Sequence, residues 1–518
     1  MDNQVDRSIT AENYAFFLAG EESTNQCTSF CPFIRNDYRL TRCDVGQVTS
    51  IDTLPDDVLL EIFNSIEYDG LDPWYSGEGA EAWQSLVHVC RRWRTLVFGS
   101  PRHLELQLFC TGRTRVRDML DIWPVLPLII WCNGYSRGSV DNIIAGLQRG
   151  DRVCKIHLSE FRSSDFEVLF AEMQKPFPEL THLHLWSTDK VVPVDPDSFL
   201  GGSAPHLQHL VLDGFQFPGL PKLLLSTTHL VQLYLFDIPH SGYISPDAMV
   251  TILSTLTSLE HLSLEFHSPR SCPDWVSRRP LPSTRSVLPV LIYFRFKGVN
   301  EYLEDLMACF DTPRLNDMDV TFFNDIIFDT LQLVQFINHT PTSGVLEKAH
   351  IVFRVNRTIA RFSSHTPGHG RFQAEILCRG MDWQASFLKQ LCTSRLRPLS
   401  MSQDLYIYEV EALADWKDSI ENRLWLELLH PFTAVKNLYL SKELARLIGP
   451  ALQELVEDRM TVVLPALRNI FLGGLETSGH VLEGIGKFVA GRQSTSYPLA
   501  ISPWTDAERV ISQEYNYR

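Results

Sequence analysis

The chain has 518 residues, 44% hydrophobic and 21% charged, with 46 basic against 62 acidic side chains and a formal net charge of −16. That composition is globular, and the acidic balance excludes a phosphate-tracking surface over most of the chain, so nucleic acid is not an expected partner. The 11 cysteines are scattered without tight regular spacing, which excludes a disulfide framework and predicts reduced thiols in the cytoplasm or nucleus.

The N-terminus MDNQVDRSITAEN is polar and acidic, unlike a signal peptide. Residues 1–50 show no sustained hydrophobic period and are expected to form a disordered arm. Cys27, Cys31 and Cys43 lie within it, but a structural zinc site needs a fourth ligand and no histidine is near. The longest apolar run, Val125 to Cys132, contains Pro127 and is far too short to span a bilayer.

The first strong signal is IDTLPDDVLLEIFNSI, from Ile51. Thr53 is a candidate N-cap, Pro55 suits a first helical turn, and Asp56 and Asp57 favour the positive end of the helix dipole. Val58, Leu59, Ile62, Phe63 and Ile66 then form one apolar stripe at helical spacing. After a polar loop, AWQSLVHVCRRWRTLVF predicts a second helix that is apolar nearly all round, with Arg91, Arg92 and Arg94 left for its rim. Two such helices cannot enclose all of that surface, so the remainder should recruit the next domain or another protein.

At these residues the chain resembles the F-box: Leu54-Pro55, Val58-Leu59 and Ile62-Phe63, then Val89-Cys90-Arg91-Arg92-Trp93. The resemblance implies docking on the Skp adaptor, and through it a cullin, with Leu54, Pro55, Leu59, Ile62, Phe63, Val89 and Trp93 facing or supporting that adaptor. One departure is the long loop between Ile66 and Trp83, which leaves the packing of the two helices open.

Beyond Phe98, Leu104, Leu106 and Leu108 alternate with polar residues and predict a strand; TRVRDMLDIWPVL predicts a helix up to Pro124, and LPLIIWC a second strand. A motif then recurs: VCKIHL from Val153, LTHLHL from Leu180, LQHLVL from Leu207, LVQLYL from Leu230 and LEHLSL from Leu259. Weaker copies start at Leu291, Leu315, Val435 and Leu467. Most clear copies start roughly 23 to 32 residues apart, overlapping the ~20–29 of leucine-rich repeats. Helical patterns such as PDAMVTILSTL, EYLEDLMACF and DTLQLVQFI lie between copies. The predicted fold class is therefore α/β: a small helical segment over residues 51–98, then over 99–503 an irregular leucine-rich-repeat-like solenoid with a parallel sheet and outer helices. The usual ladder asparagine is absent, with Ser187, Gly214, Asp237 and Phe266 near its place.

Leu346 to Arg423 is poorly legible; AHIVFRV, FQAEIL and DLYIYEV are strand-like with little helix between them, as if hairpins or loops covered an edge. KFVAGRQSTSYPLAI reads as a capping strand ending with Pro498 and Trp504, and the tail 504–518 as flexible. PRHLELQLFCTGRTRVRDMLDIWPVLPLIIW and the KFVAGRQ end resemble F-box-domain proteins abundant in mushroom-forming fungi, a likeness running from Ile51 nearly to Trp504.

Gly134-Tyr135-Ser136-Arg137-Gly138 matches the G-x-S-x-G of a hydrolase elbow between a strand and a helix, but no oxyanion segment and too few strands precede it. GGLETSGHVLEGIGK lacks phosphate-loop spacing, so no cofactor is expected. His182, His209 and His261 share one slot of the copies, interrupted by Gln232, and no carboxylate is placed to complete the three or four converging ligands of a metal site. That slot and the next two alternate positions point away from the leucine core. They nominate His182, His184, Trp186, His209, Tyr234, Phe236, Tyr293 and Arg295 as target contacts, unless later loops cover them as core. The resemblance implies a substrate-recognition subunit of a Skp–cullin–F-box ubiquitin ligase without bond chemistry of its own. The alternatives are an F-box scaffold outside a ligase and a serine hydrolase using Ser136.

Overall fold

The computed structural model describes residues 51–65 and 82–505, less 102, 105, 114–115, 124, 135–139, 189–191, 194–198, 217–219, 272–284, 324–330, 341–345, 367–369, 379–380, 394–395, 411–420, 456–461, 474–480 and 494–497. The N-terminal arm with Cys27, Cys31 and Cys43, the 66–81 loop, Ser136 and the tail beyond residue 505 lie outside the described residues.

A 3-10 turn, Ile51–Thr53, leads into helix α1, Asp56–Asn64. Asp56 and Asp57 occupy its first turn as expected, but Pro55 and not Thr53 holds the N-cap position, with no side-chain cap. The expected second helix is two, α2 (Ala82–Val87) and α3 (Arg91–Gly99). Cys90 breaks the run in an extended conformation, and its thiol accepts from the Trp93 amide at 3.5 Å. A straight helix would aim its apolar residues to opposite sides; the break lets Trp83, Leu86, Val87 and Val97 enter one core. Arg94 Nε closes the joint by donating to the Val87 carbonyl at 2.9 Å, one of the acceptors that a helix end leaves open.

Twenty strands follow: β1 (Leu108–Cys110), β2 (Leu128–Asn133), β3 (Val153–Phe161), β4 (His182–Ser187), β5 (Val192–Pro193), β6 (His209–Asp213), β7 (Phe215–Gln216), β8 (Gln232–Ile238), β9 (His261–Phe266), β10 (Ser286–Val287), β11 (Tyr293–Gly298), β12 (Phe310–Asp311), β13 (Asp317–Phe322), β14 (Lys348–Arg354), β15 (Arg357–Ser363), β16 (Arg371–Leu377), β17 (Asp404–Glu409), β18 (Asn437–Leu440), β19 (Asn469–Leu472) and β20 (Ala500–Pro503) among the described residues. Sixteen of them form one sheet in the order β1-β2-β3-β4-β6-β8-β9-β11-β13-β16-β15-β14-β17-β18-β19-β20. β5 pairs with β7 and β10 with β12 outside it. Every pairing in the large sheet is parallel except those of β15 with β14 and β16.

The motif leucines, among them Leu183, Leu185, Leu210, Leu212, Leu233, Leu235, Leu262 and Leu264, are buried in one continuous apolar layer that runs the length of the sheet. Helices at Val116–Ile122, Val140–Leu147, Pro246–Leu253, Asn300–Met307 and Leu331–His339 stand where the spacing predicts them. The first expected strand is shorter than its alternation implies. The Leu104 and Leu106 amides donate back to Ser100 and Pro101 at 3.1 and 2.9 Å, so these leucines belong to turns and only Leu108 opens β1.

At the exits of β3 and β8 the register shifts, and Glu160 (φ 60°) and Asp237 (φ 48°) adopt left-handed backbone there; Gly214 (φ 78°) does so just after β6. Glycine adopts this conformation without strain and aspartate tolerates it, so the turn is made without the ladder asparagine. Gly134 is required for a different reason, since a Cβ there would sit 2.3 Å from the Glu160 carbonyl oxygen. This close approach accounts for the first glycine of the G-x-S-x-G without catalysis.

The illegible region proves to be an insertion inside the sheet and not an edge cover. From β13 the chain skips two places to β14, returns through β15 to β16 beside β13, then jumps to β17 beside β14. Gln384 fastens this hairpin from the helix Met381–Thr393. It donates to the Arg354 and Cys378 carbonyls at 3.1 and 2.9 Å and accepts from Thr358 Oγ1 at 2.6 Å, all in the interior. Gln384→Leu strands three buried groups and is expected to cost about 2–4 kcal/mol. An unchanged thermal midpoint would show that the hairpin holds without it. At the C-terminus, KFVAGRQ ends the helix Val481–Gln493, and only Ala500–Pro503 makes the last strand.

Candidate functional site

Two surfaces stand out, one on the N-terminal helices and one on the open face of the sheet. On the helices, the seven nominated residues divide. Leu59 (0% exposed) and Phe63 (5%) point inward, with the Phe63 and Trp93 rings 4.7 Å apart at 57°. Leu54 and Trp93 are half-buried against the same core. Pro55, Ile62 (38%) and Val89 (59%) face outward, joined by Ile51 and Val58. The stripe therefore spans two helix faces, with Leu59 and Phe63 on the inward one and Ile51, Val58 and Ile62 on the outward one.

Arg92 ties α3 to the start of α1, donating to the Leu54 carbonyl at 2.5 Å and, through Nε, to Asp56 at 3.0 Å. The segment is also fused to the first repeat. Trp83 and Phe98 meet Trp123 at 5.2 and 5.8 Å, and Trp83 Nε1 donates to the Gln107 carbonyl at 3.2 Å. This junction holds the helices on the end of the sheet, while the outward residues of α1 and Val89 remain uncovered.

On the sheet, the alternate positions form cross-strand rows. One row runs Lys155, His182, His209, Gln232, His261, Tyr293, Asp317; the next His157, His184, Val211, Tyr234, Ser263, Arg295, Asp319; a third includes Ser159, Trp186, Asp213, Phe236. His182, His184, Trp186, His209, Tyr234, Phe236 and Tyr293 are half-buried, and Arg295 is exposed. His182 and His209 stack at 4.1 Å, and Tyr234 stacks on Phe236 at 5.8 Å. Farther along, the face becomes charged. Arg295 pairs with Glu265 at 3.0 Å, and Asp319 accepts from Arg371 at 2.9 Å and from the Tyr293 hydroxyl at 3.3 Å.

Reading only some copies missed residues in the same columns. Trp131 and His157 extend the aromatic end, their rings stacked 5.8 Å apart. The strand-like pieces between Leu346 and Arg423 and the two weaker copies after them supply a second aromatic run, His350, Tyr406, Tyr439 and Phe471, with successive rings 4.4, 4.2 and 4.5 Å apart. Trp504 sits over it, 5.7 Å from Tyr439, so this end of the face is capped by the chain itself. Beside it Asn437 donates to Asp404 at 2.7 Å and Asn469 to Asn437 at 2.8 Å, a polar ladder along the closing strands.

Three histidines of the face, His157, His182 and His184, are held neutral. Burial lowers His157 to about 2, His182 to about 3 and His184 to about 4, with His184 adding to the shift of His157 and His209 to that of His182. Each is protonated more readily when the chain unfolds, so the stability this contributes is complete above the ordinary value of 6.5 and is lost as pH falls toward the folded values. The melting temperature should therefore drop between about pH 7 and about pH 4.5. His157→Phe, which keeps a ring on Trp131, should shrink that drop; an equal drop in the variant would remove His157 from the explanation. Among the described residues no group of three or more histidine, cysteine or carboxylate side chains is placed to hold a metal. None of their helices is long and apolar enough to cross a membrane.

No family model and no curated protein matches this chain. Among solved structures it is similar to the leucine-rich repeat-containing protein LegL7 from Legionella pneumophila, at 10% identity over 69% of this chain and 96% of that one, with a TM-score of 0.26.

Proposed function

We propose that the chain is a protein-capture subunit: the N-terminal helices dock a Skp-type adaptor, and the open face of the solenoid holds a target for ubiquitin transfer by the attached ligase. The observation that carries the reading is the uncovered apolar rim of Ile51, Pro55, Val58, Ile62 and Val89, on helices whose inner faces are already filled. Exposed aliphatic residues gathered on one small module mark an interaction site. The F-box pattern of Leu54-Pro55 and Val89-Cys90-Arg91-Arg92-Trp93 supplies the adaptor's identity. The subunit's contribution to the reaction is positioning, since a bound target's lysines are held at high effective concentration near the conjugating enzyme.

Co-expression with a Skp adaptor and a cullin tests this. A stable three-component complex is expected. Recovery of the adaptor without the cullin would mark a scaffold outside a ligase, and recovery of neither would end the docking proposal.

A further inference from the structure

Granting the proposed reading that the open sheet face holds a target, one group on it states what the target must bring. Asp213 lies in register between Trp186 on β4 and Phe236 on β8. Neighbouring strands are about 4.8 Å apart, so an indole and a phenyl ring flank the carboxylate. The surrounding acids have their own partners: Glu265 has Arg295 at 3.0 Å, and Asp237 has Lys297 at 3.9 Å and the His267 ring at 3.6 Å. Among the described residues, Asp213 finds no hydrogen-bond or ion-pair partner at contact distance.

We propose that Asp213, walled by Trp186 and Phe236, receives an arginine side chain of the captured protein. A carboxylate accepts a guanidinium through two parallel N–H donors, and the planar guanidinium stacks on aromatic faces. Lysine offers a point charge without a plane and matches the walls less well. The chain's net charge of −16 favours a basic partner over a nucleic acid. Burial, then Asp237 and Glu265, push the Asp213 carboxyl up to about 7, against the opposing pull of Lys297. An incoming cation would reverse this and hold the carboxylate ionised.

The test selects a random dodecapeptide library on the immobilised full-length chain, and resynthesises the recovered peptides with arginine replaced by citrulline, its neutral isostere, or by lysine. The expected peptides are rich in arginine, bind more weakly when Tyr234→Ala removes a ring from the face, and lose at least about tenfold in affinity on citrulline replacement, with lysine intermediate. Asp213→Asn should cost the arginine peptide the same factor and leave the citrulline peptide unaffected, closing a double-mutant cycle. Wild-type affinity for the arginine peptide should rise from about pH 6 to about pH 8, and the rise should vanish in Asp213→Asn; the other groups facing the site, Asp237, Glu265, Lys297 and His267, are unchanged between the two proteins. Peptides that bind the face but ignore citrulline replacement overturn the assignment of Asp213 and leave target capture standing. Failure to recover any face-binding peptide overturns both.

Discussion

Arg492→Leu should loosen the C-terminal end of the solenoid by about 2–5 kcal/mol, one of the two largest effects expected of a single substitution in this chain. The Arg492 side chain is fully buried, and its guanidinium donates to the Val463, Leu464 and Pro465 carbonyls at 2.9, 3.0 and 3.5 Å while lying 5.5 Å over the Phe488 ring. Leu464 has φ of 50°, a conformation costly for a β-branched or bulky side chain, and the guanidinium fork holds that turn just ahead of β19. Burial disfavours the charge, pulling its pKa down, so the site persists because the carbonyls would otherwise be stranded. Leucine fills part of the volume and satisfies none of them. Arg492→Lys keeps the charge but lacks a planar fork for three acceptors, and an intermediate loss is expected. Because repeat arrays unfold locally, hydrogen exchange resolves the effect where a global melt would blur it. Protection should fall in Val481–Gln493 and β19 and stay unchanged in β3 to β9. Uniform or absent loss would contradict the role given to Arg492.

The same end of the molecule shows what could be read from sequence and what could not. L-x-x-L-x-L located the strands because one face of each is buried and the other is open, which writes a period of two into the chain. Between Leu346 and Arg423 that period fails for a physical reason. Ile351, Val352, Phe353 and Arg354 are all buried, since β14 sits inside the sheet with Trp504 and Tyr408 covering its second face. No alternation remains to mark sides. The face residues from His182 to Arg295 were legible as columns because parallel in-register strands convert equal motif positions into spatial rows. Asp213 stands in one of those columns, but what distinguishes it does not, because that lies in Lys297 and Arg295 pairing with other acids on later strands.

The helices present the complementary case. Helical spacing placed Leu59, Ile62 and Phe63 on one broad stripe, but which edge of it is covered depends on where Trp93 goes. That is decided by the break at Cys90, and a continuous apolar pattern gives no sign of it. Periodicity assigns residues to an element's face; the partner element assigns that face to core or surface.

The decisive separation is therefore between two neighbours on α1. Ile62→Asp should abolish adaptor binding, lowering affinity by more than about a hundredfold, because an aspartate must be desolvated in an apolar contact without a counter-charge. Ile62 is 38% exposed in the free chain, so the thermal midpoint and α1 protection should hardly change. Val89→Asp, at 59% exposure in the turn between α2 and α3, should behave alike. Leu59→Ala should do the reverse. It empties a fully buried site one helical turn from Phe63, costs about 2–5 kcal/mol of local stability, and weakens adaptor binding only by the fraction of helices that has come apart. Saturating adaptor should restore binding to Leu59→Ala, since a partner that selects the folded form pulls the equilibrium back, and should not restore it to Ile62→Asp at the same concentration. Calorimetric titration with purified adaptor, beside exchange protection of α1 and α3, reads both quantities on the same proteins. If Leu59→Ala keeps full protection and still loses the adaptor, the inward residue is a direct contact. The face built from Val58, Ile62 and Val89 would then be the wrong one.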